Sequence, residues 1–126
     1  MDKPLADKRI VVVDDDADMR AAIRVVLAAA GCAVEEASNG EDGLLLAQKS
    51  RPDAVLADLM MEEINSGCDL ARALRDGGYT GVILLLSTAG EPVSRNIEPG
   101  AYGLDGILQK PVPPAALLDA LRARLG

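Results

Sequence analysis

Three short stretches of the chain are apolar at every position, namely residues 10–13, 54–57 and 82–86. Continuous apolar runs of this length, without alternating polar residues, indicate strands that are buried on both faces of a sheet. Two further stretches, residues 33–37 and 106–109, mix apolar and polar residues. This mixed pattern favours strands at the two edges of the same sheet.

Segments with apolar residues at helical spacing follow the predicted strands. The first of them carries Met19, Ile23 and Leu27, is preceded by aspartates that can cap it, and stops at Gly31. The fourth is weaker, because it is short and is closed by a proline and a glycine. In chain order, the five predicted helices contain Met19, Leu44, residues 68–75, residues 92–98 and Leu117.

Strands that alternate with helices are typical of a parallel sheet with helices on both faces. Placing the apolar strands at the centre and the mixed strands at the edges gives the order 2-1-3-4-5. This is the flavodoxin-like, doubly wound α/β class. The chain has 126 residues and shows neither an internal repeat nor a linker. We therefore expect one domain over residues 1–126, with a short or irregular fourth helix.

Composition narrows the classes of function. Lys and Arg total 13 while Asp and Glu total 20, and the net charge of -7 argues against contact with nucleic-acid phosphates. Histidine is absent, which excludes a histidine-based triad and a phosphohistidine on this chain. Cys32 and Cys68 form no metal-binding motif, so we expect two reduced core residues. With neither a secretion signal nor a membrane-spanning run, a soluble cytoplasmic protein is expected.

Carboxylates follow two of the predicted strands, with Asp14 and Asp15 after the first and Asp58 after the third. In such a sheet the ligand site lies beyond the carboxyl ends of the strands, where the strand order reverses. Crowded carboxylates repel one another, and Mg²⁺ with its preference for oxygen ligands relieves that repulsion. The competing interpretation is that the acidic run from Asp14 only caps the first helix.

The last two strands end in residues of a different kind. Ser87 and Thr88 follow the fourth strand, and Lys110 follows the fifth. An ammonium group, a hydroxyl donor and a divalent cation together suit the oxygens of a phosphoryl group. One carboxylate can then act as the nucleophile and form an aspartyl-phosphate. Taken singly, each of these residues is more simply explained as a loop residue.

These motifs together resemble the receiver domain of bacterial two-component response regulators, in particular the chemotaxis regulators. The run IVVVDDDADMR at residues 10–20 resembles the first strand and acidic pair of that family. The run DLMM at residues 58–61 resembles its phosphoacceptor motif, and the dipeptide KP at residues 110–111 resembles its Lys-Pro pair. The resemblance covers nearly the whole chain.

The resemblance implies roles for individual residues. Asp58 would accept a phosphoryl group from the histidine of a partner kinase, and Lys110 would pair with the phosphate. Asp14, Asp15 and Asp58 would hold Mg²⁺, together with the backbone carbonyl of Met60. Such a domain is not a turnover enzyme, because it catalyses only its own phosphorylation and slow dephosphorylation.

The resemblance also implies a conformational switch and partners. Ser87 is the implied switch hydroxyl, and Thr88 is the alternative because the family's Thr-Ala pattern fits it as well. Phosphorylation would move the loops after strands three and four and change partner affinity near the last strand and helix. The implied partners are a sensor histidine kinase or histidine phosphotransfer protein and a downstream protein target, without nucleic acid or membrane. A homodimer is an additional alternative.

Several positions depart from the family pattern. Glu62 stands where the family usually has proline, and the path from Asp58 to Gly67 is one residue longer than usual. The family's long fourth helix is expected to be short here, because the interval between Ser87 and Gly100 is short and holds Pro92 and Pro99. Residues 92–104 are therefore expected to be atypical. Ile107 occupies the position of the family's aromatic switch residue, and Tyr102 is a candidate substitute.

Other functions compete with phosphorelay signalling. A receiver-like protein-binding module that does not use phosphorylation is one alternative. The altered fourth segment is compatible with it, whereas the intact set of acidic residues argues against it. A small Mg²⁺-dependent aspartyl-phosphate phosphatase would use Asp14 and Asp16, but the chain is short for that fold. A calcium-binding EF-hand loop is excluded, because Met19 and Val25 stand where that loop needs glycine and glutamate.

Overall fold

A parallel sheet of five strands forms the centre of the molecule. The computed structural model describes residues 5–59, 66–88 and 103–125. The strands, in chain order, are β1 Arg9–Val13, β2 Ala33–Ala37, β3 Ala54–Asp58, β4 Val82–Thr88 and β5 Gly106–Lys110. Each predicted strand is therefore present. β1 begins one residue earlier than predicted, and β3, β4 and β5 each continue into polar residues beyond their predicted ends.

Four helices flank this sheet within the described ranges: α1 Ala17–Ala29, α2 Gly40–Ser50, α3 Ser66–Asp76 and α4 Pro114–Leu125. They correspond to the first, second, third and fifth predicted helices. The remaining predicted helix, at residues 92–98, lies outside the described residues. No helix in the described ranges is long and apolar enough to cross a membrane.

The strand order is β2-β1-β3-β4-β5, and every neighbouring pair runs parallel. This confirms the predicted doubly wound α/β topology. β3 is buried along its whole length, whereas β2 and β5 are mostly of intermediate exposure. The apolar runs thus occupy the centre because only there are both faces of a strand covered.

Helices cover each face of the sheet and create two cores. Alternate side chains of the central strands point to opposite faces. Val11, Val55 and Leu85 pack with Ala47 of α2 and Leu74 of α3. The second core, on the face covered by α1 and α4, contains Ile10, Val12, Leu56, Leu86, Ile23, Leu27, Leu117 and Leu121.

The ends of α1 follow from local chemistry. Asp16 is the N-cap, and its side chain accepts hydrogen bonds from the backbone N–H groups of Asp18 at 2.9 Å and Met19 at 3.3 Å. Past the last turn, Gly31 adopts φ +91°, a left-handed conformation that favours glycine. Part of the predicted acidic run therefore does cap the helix, while its first two members remain available for a site.

Both cysteines are buried free thiols, as expected. Burial raises the pKa of the Cys32 thiol, and the nearby Asp53 carboxylate adds to that rise. Burial is also the main reason that the pKa of the Cys68 thiol is raised. A raised pKa keeps a thiol protonated and unreactive near neutral pH, so both residues act as small core side chains.

Candidate functional site

The carboxyl ends of the neighbouring strands β1 and β3 bring two aspartates together. Val13 pairs with Ala57 in the register of these strands, so Asp14 and Asp58 follow at the same level of the sheet. Leu56, two residues before Asp58, lies in the core under α1 and α4. Strand alternation therefore directs Asp58 toward that side of the sheet edge.

Both carboxylates are buried, and a lysine lies between them. Asp14 is 0% exposed and Asp58 is 6% exposed. Lys110, at the end of β5, places its Nζ 3.3 Å from Asp14 Oδ2 and 3.3 Å from Asp58 Oδ1. Asp14 Oδ1 also accepts a hydrogen bond from the backbone N–H of Asp16 at 2.9 Å. Such partners are what a buried charge requires, because water is not available to solvate it.

The carboxylates beside Lys110 keep its side chain protonated. Burial alone would lower the pKa of its ammonium group, but the carboxylates of Asp14 and Asp58 outweigh that effect. The net result is a raised pKa for Lys110. The lysine is therefore a permanent positive charge in the site at neutral pH.

The acidic residues fit a hard divalent cation. Asp14, Asp15 and Asp58 each offer a carboxylate oxygen, and these three oxygens lie within 4.8 Å of one another. Two of the three residues are buried, while Asp15 is exposed and opens the cluster to solvent. A few carboxylates plus water is the ligand set that Mg²⁺ takes in proteins. Met60, the further ligand implied by the family resemblance, lies outside the described residues.

The two candidate hydroxyls at the end of β4 face opposite sides of the sheet. Leu86 belongs to the core under α1 and α4, whereas Leu85 belongs to the core under α2 and α3. Alternation directs Thr88 to the side of Leu86 and Ser87 to the side of Leu85. Thr88 lies opposite Lys110 in the β4–β5 register and is exposed. Ser87 is buried, with its Oγ 3.5 Å from the Thr88 carbonyl oxygen.

Gly67 is a part of the site to which the sequence pattern assigned no role. A Cβ at this position would lie 2.4 Å from the carbonyl oxygen of Asp58. The Gly67 N–H donates to the carbonyl of Leu59 at 2.9 Å, and the Leu59 N–H donates to Leu86 at 2.8 Å. The missing side chain thus lets α3 start directly against the residues that hold Asp58. A glycine at a helix start is the signal that could have pointed to it.

The departures from the family pattern are only partly visible. Ile107, at the position of the aromatic switch residue, packs partly buried against the core under α2 and α3. Glu62 and Tyr102 lie outside the described residues, and so does most of the 92–104 segment. The substitution of Tyr102 for the missing aromatic residue stays a prediction.

Comparisons with known proteins show the family to which this chain belongs. Residues 10–122 match the family model described as the response regulator receiver domain. The chain is 40% identical over 117 residues to a protein named response regulator MprA from Mycolicibacterium vanbaalenii, covering 93% of this chain and 50% of that protein. It is 38% identical over 119 residues to the DNA-binding response regulator MtrA of Mycobacterium leprae, covering 94% of this chain and 51% of that protein. The chain therefore spans about half the length of these relatives.

Solved structures give the same result over almost the full length. The chemotaxis protein CheY4 of Vibrio cholerae superposes with a TM-score of 0.83 at 32% identity, covering 95% of this chain and all of that chain. A response regulator signal receiver domain from Bermanella marisrubri gives a TM-score of 0.82 at 34% identity, covering 95% of this chain and 99% of the other.

Proposed function

Because this chain belongs to the response regulator receiver domain family, which acts in phosphorelay signalling, we propose that Asp58 is its phosphoacceptor. The observation that carries this proposal is the buried Asp58 carboxylate at the end of a central strand. It lies 3.3 Å from the Lys110 ammonium group and beside the carboxylates of Asp14 and Asp15. This arrangement combines a carboxylate nucleophile with groups that can hold a phosphoryl group.

The transfer step follows from these groups. A carboxylate oxygen of Asp58 attacks the phosphorus of a phosphohistidine on the donor, and an O–P bond forms while the N–P bond breaks. The donor imidazole leaves with the electron pair of the broken bond and takes up a proton. Lys110 keeps its positive charge throughout and stabilises the negative charge on the phosphoryl oxygens. Because Lys110 Nζ lies 3.3 Å from Asp58 Oδ1, the Asp58 carboxylate is already oriented before attack and needs little reorganisation.

Asp14, Asp15 and Asp58 are the residues that would hold Mg²⁺. When bound, the cation neutralises part of the charge of the carboxylates and of the phosphoryl oxygens. The carboxylates themselves supply hard oxygen ligands in a cluster that is open to solvent at Asp15. Coordination by the carbonyl of Met60 stays a prediction.

For the switch hydroxyl, the strand register supports Thr88, although the sequence alone favoured Ser87. Thr88 lies opposite Lys110 and on the side of the sheet toward which Asp58 is directed. A hydroxyl there can donate to a phosphoryl oxygen on Asp58 after a local movement of the strand end. Phosphorylation adds charge and acceptor oxygens at this point, and the loops after β3 and β4 respond.

A histidine kinase or a histidine phosphotransfer protein is the implied donor, and a downstream protein is the implied target. We also propose that the 126 residues of this chain do not themselves bind nucleic acid, because their net charge is -7. It concerns this chain only, since the relative named as DNA-binding is about twice as long. The domain acts as a phosphoacceptor that modifies only itself. Family membership leaves the small-phosphatase alternative without support.

Intact mass spectrometry after incubation with acetyl phosphate and Mg²⁺ tests the proposal. We expect one added phosphoryl group on the parent protein and none on Asp58→Asn. Asp69→Asn is the matched control, because it makes the same charge change at an exposed position on α3, and it should be labelled like the parent. Equal labelling of Asp58→Asn would contradict the assignment. No labelling in any protein, with a phosphohistidine donor also tried, would favour a binding module that does not use phosphorylation.

A further inference from the structure

Arg20, on α1, reaches back to the backbone at the start of the acidic site. Its Nη1 donates a hydrogen bond to the carbonyl oxygen of Asp14 at 2.5 Å. Its Nε donates to Glu36 Oε1 on β2 at 3.2 Å. The Arg20 side chain is 18% exposed, so most of it is shielded from solvent. One guanidinium group therefore connects the helix, the edge strand and the end of β1.

The position of the Asp14 carbonyl determines where the next residue points. This oxygen lies in the rigid peptide plane that joins Asp14 to Asp15. The Asp14 side chain is fixed separately, by Lys110 and by the backbone N–H of Asp16. Asp15 is exposed, so packing does little to hold it in place. The orientation of its peptide plane is then the main constraint on the direction of its carboxylate.

We propose that Arg20 is a positioning residue for the divalent-cation site. By holding the Asp14 carbonyl, it orients the Asp14–Asp15 peptide so that the Asp15 carboxylate joins those of Asp14 and Asp58. Glu36 holds the Arg20 guanidinium in the orientation that allows it to reach the Asp14 carbonyl. The inference deepens the proposed function and rests on it, because it assumes that the acidic cluster binds Mg²⁺.

Charge and positioning predict opposite effects when Arg20 is removed. A positive charge near a cation site weakens cation binding by repulsion, so its loss alone would tighten Mg²⁺ binding. Loss of the hydrogen bond to the Asp14 carbonyl would weaken it, as removal of a residue that orients a metal ligand usually does. The direction of the change in Kd therefore separates the two effects.

Arg24 provides the matched control within the same helix. It also forms an ion pair with Glu36 but lies one turn further along α1 and is 52% exposed. Its described hydrogen bond goes to Glu36 and not to the Asp14 carbonyl. Arg24→Met and Arg20→Met thus remove the same charge and a bond to the same glutamate. Only Arg20→Met also releases the Asp14 carbonyl.

The experiment is isothermal titration calorimetry of Mg²⁺ into the whole chain and its variants, with urea unfolding in EDTA as a check on folding. For Arg20→Met we expect a Kd raised about tenfold, the lower end of the usual effect of an outer-shell partner. Arg24→Met should bind Mg²⁺ as tightly as the parent or slightly more tightly. Arg20→Lys keeps the charge but lacks the fork, and its Kd should also rise several-fold.

Three results would overturn the inference. They are unchanged or tighter binding by Arg20→Met, equal weakening in the Arg20 and Arg24 variants, and parent-like binding by Arg20→Lys. If Arg20→Met fails to fold, Glu36→Gln is measured in its place. We expect Glu36→Gln to raise the Kd for Mg²⁺ by a smaller factor. An unchanged Kd would contradict the inference. A parent protein that binds no Mg²⁺ would count against the metal site of the proposed function itself, which distinguishes the two failures.

Discussion

Replacing Lys110 by methionine removes the positive charge between two buried carboxylates and keeps most of the apolar stem. The Lys110 Nζ lies 3.3 Å from an oxygen of Asp14 and 3.3 Å from an oxygen of Asp58. Without it, the carboxylate oxygens of the cluster face one another within 4.8 Å. In the absence of a divalent cation, the folded state should therefore lose stability.

The magnitude follows from these distances. At 4.8 Å, two unit charges repel by about 3.5 kcal/mol for an effective dielectric constant of about 20. Removing one partner of a buried ion pair costs about 3 to 5 kcal/mol. Because the Lys110 side chain is still 14% exposed, we expect a loss of about 3 kcal/mol in the free energy of unfolding. For a domain of this size, that corresponds to a Tm lower by about 10 °C.

Urea unfolding at neutral pH, in EDTA and then in saturating Mg²⁺, measures this loss. Mg²⁺ at about 100 times its Kd stabilises a protein by about 2.7 kcal/mol, and it should recover more in Lys110→Met because it also removes the repulsion. Lys49→Met is the control, since Lys49 is exposed on α2, and it should change stability by less than about 0.5 kcal/mol. A loss below about 1 kcal/mol in EDTA, or one that Mg²⁺ leaves unchanged, would refute the electrostatic account of the site.

Two further predictions concern the switch and the response to pH. Thr88→Ala should remove most of the change in amide chemical shifts that phosphorylation causes on β4 and β5, and Ser87→Ala should preserve it; the reverse result would assign the switch to Ser87. Burial raises the pKa of the Tyr79 phenol, whose hydroxyl donates to the Pro52 carbonyl at 2.8 Å. The stability that this phenol contributes is thus complete below its ordinary pKa of about 10 and is lost as the pH rises above it. Tyr79→Phe should lose less unfolding free energy than the parent between about pH 9 and 11 in urea titrations, and equal losses would contradict this assignment.

The sheet could be predicted from the sequence because a strand that is buried on both faces is apolar at nearly every position. Strands β3 and β4 lie between two helical layers, so nearly every position is apolar and the run is easily seen. The edge strand β2 retains Glu35 and Glu36, since its outer side is less covered. The same contrast between apolar and mixed strands indicates that β2 and β5 lie at the edges of the sheet, as in the order β2-β1-β3-β4-β5. Strand ends, in turn, show where the acids and the lysine converge.

Other parts of the site depend on contacts that sequence spacing does not contain. The choice between Ser87 and Thr88 turns on one residue of register, which decides the face of the sheet to which each hydroxyl points. The contact of Arg20 with the Asp14 carbonyl needs a helix to lie at one particular angle to β1. Gly67 matters because of an approach of α3 to β3 that only the folded chain reveals. These features depend on tertiary packing and cannot be predicted from spacing along the chain. The residues at the strand ends can be predicted, because they directly follow recognisable apolar runs.

The most direct test of the central claim is to locate the phosphoryl group itself. After phosphorylation with acetyl phosphate and Mg²⁺, reduction with borohydride converts an aspartyl-phosphate to homoserine, and peptide mass spectrometry then finds the modified position. We predict homoserine at position 58 and unmodified aspartates at positions 14 and 15. Homoserine at position 14 or 15, with Asp58 unchanged, would contradict it.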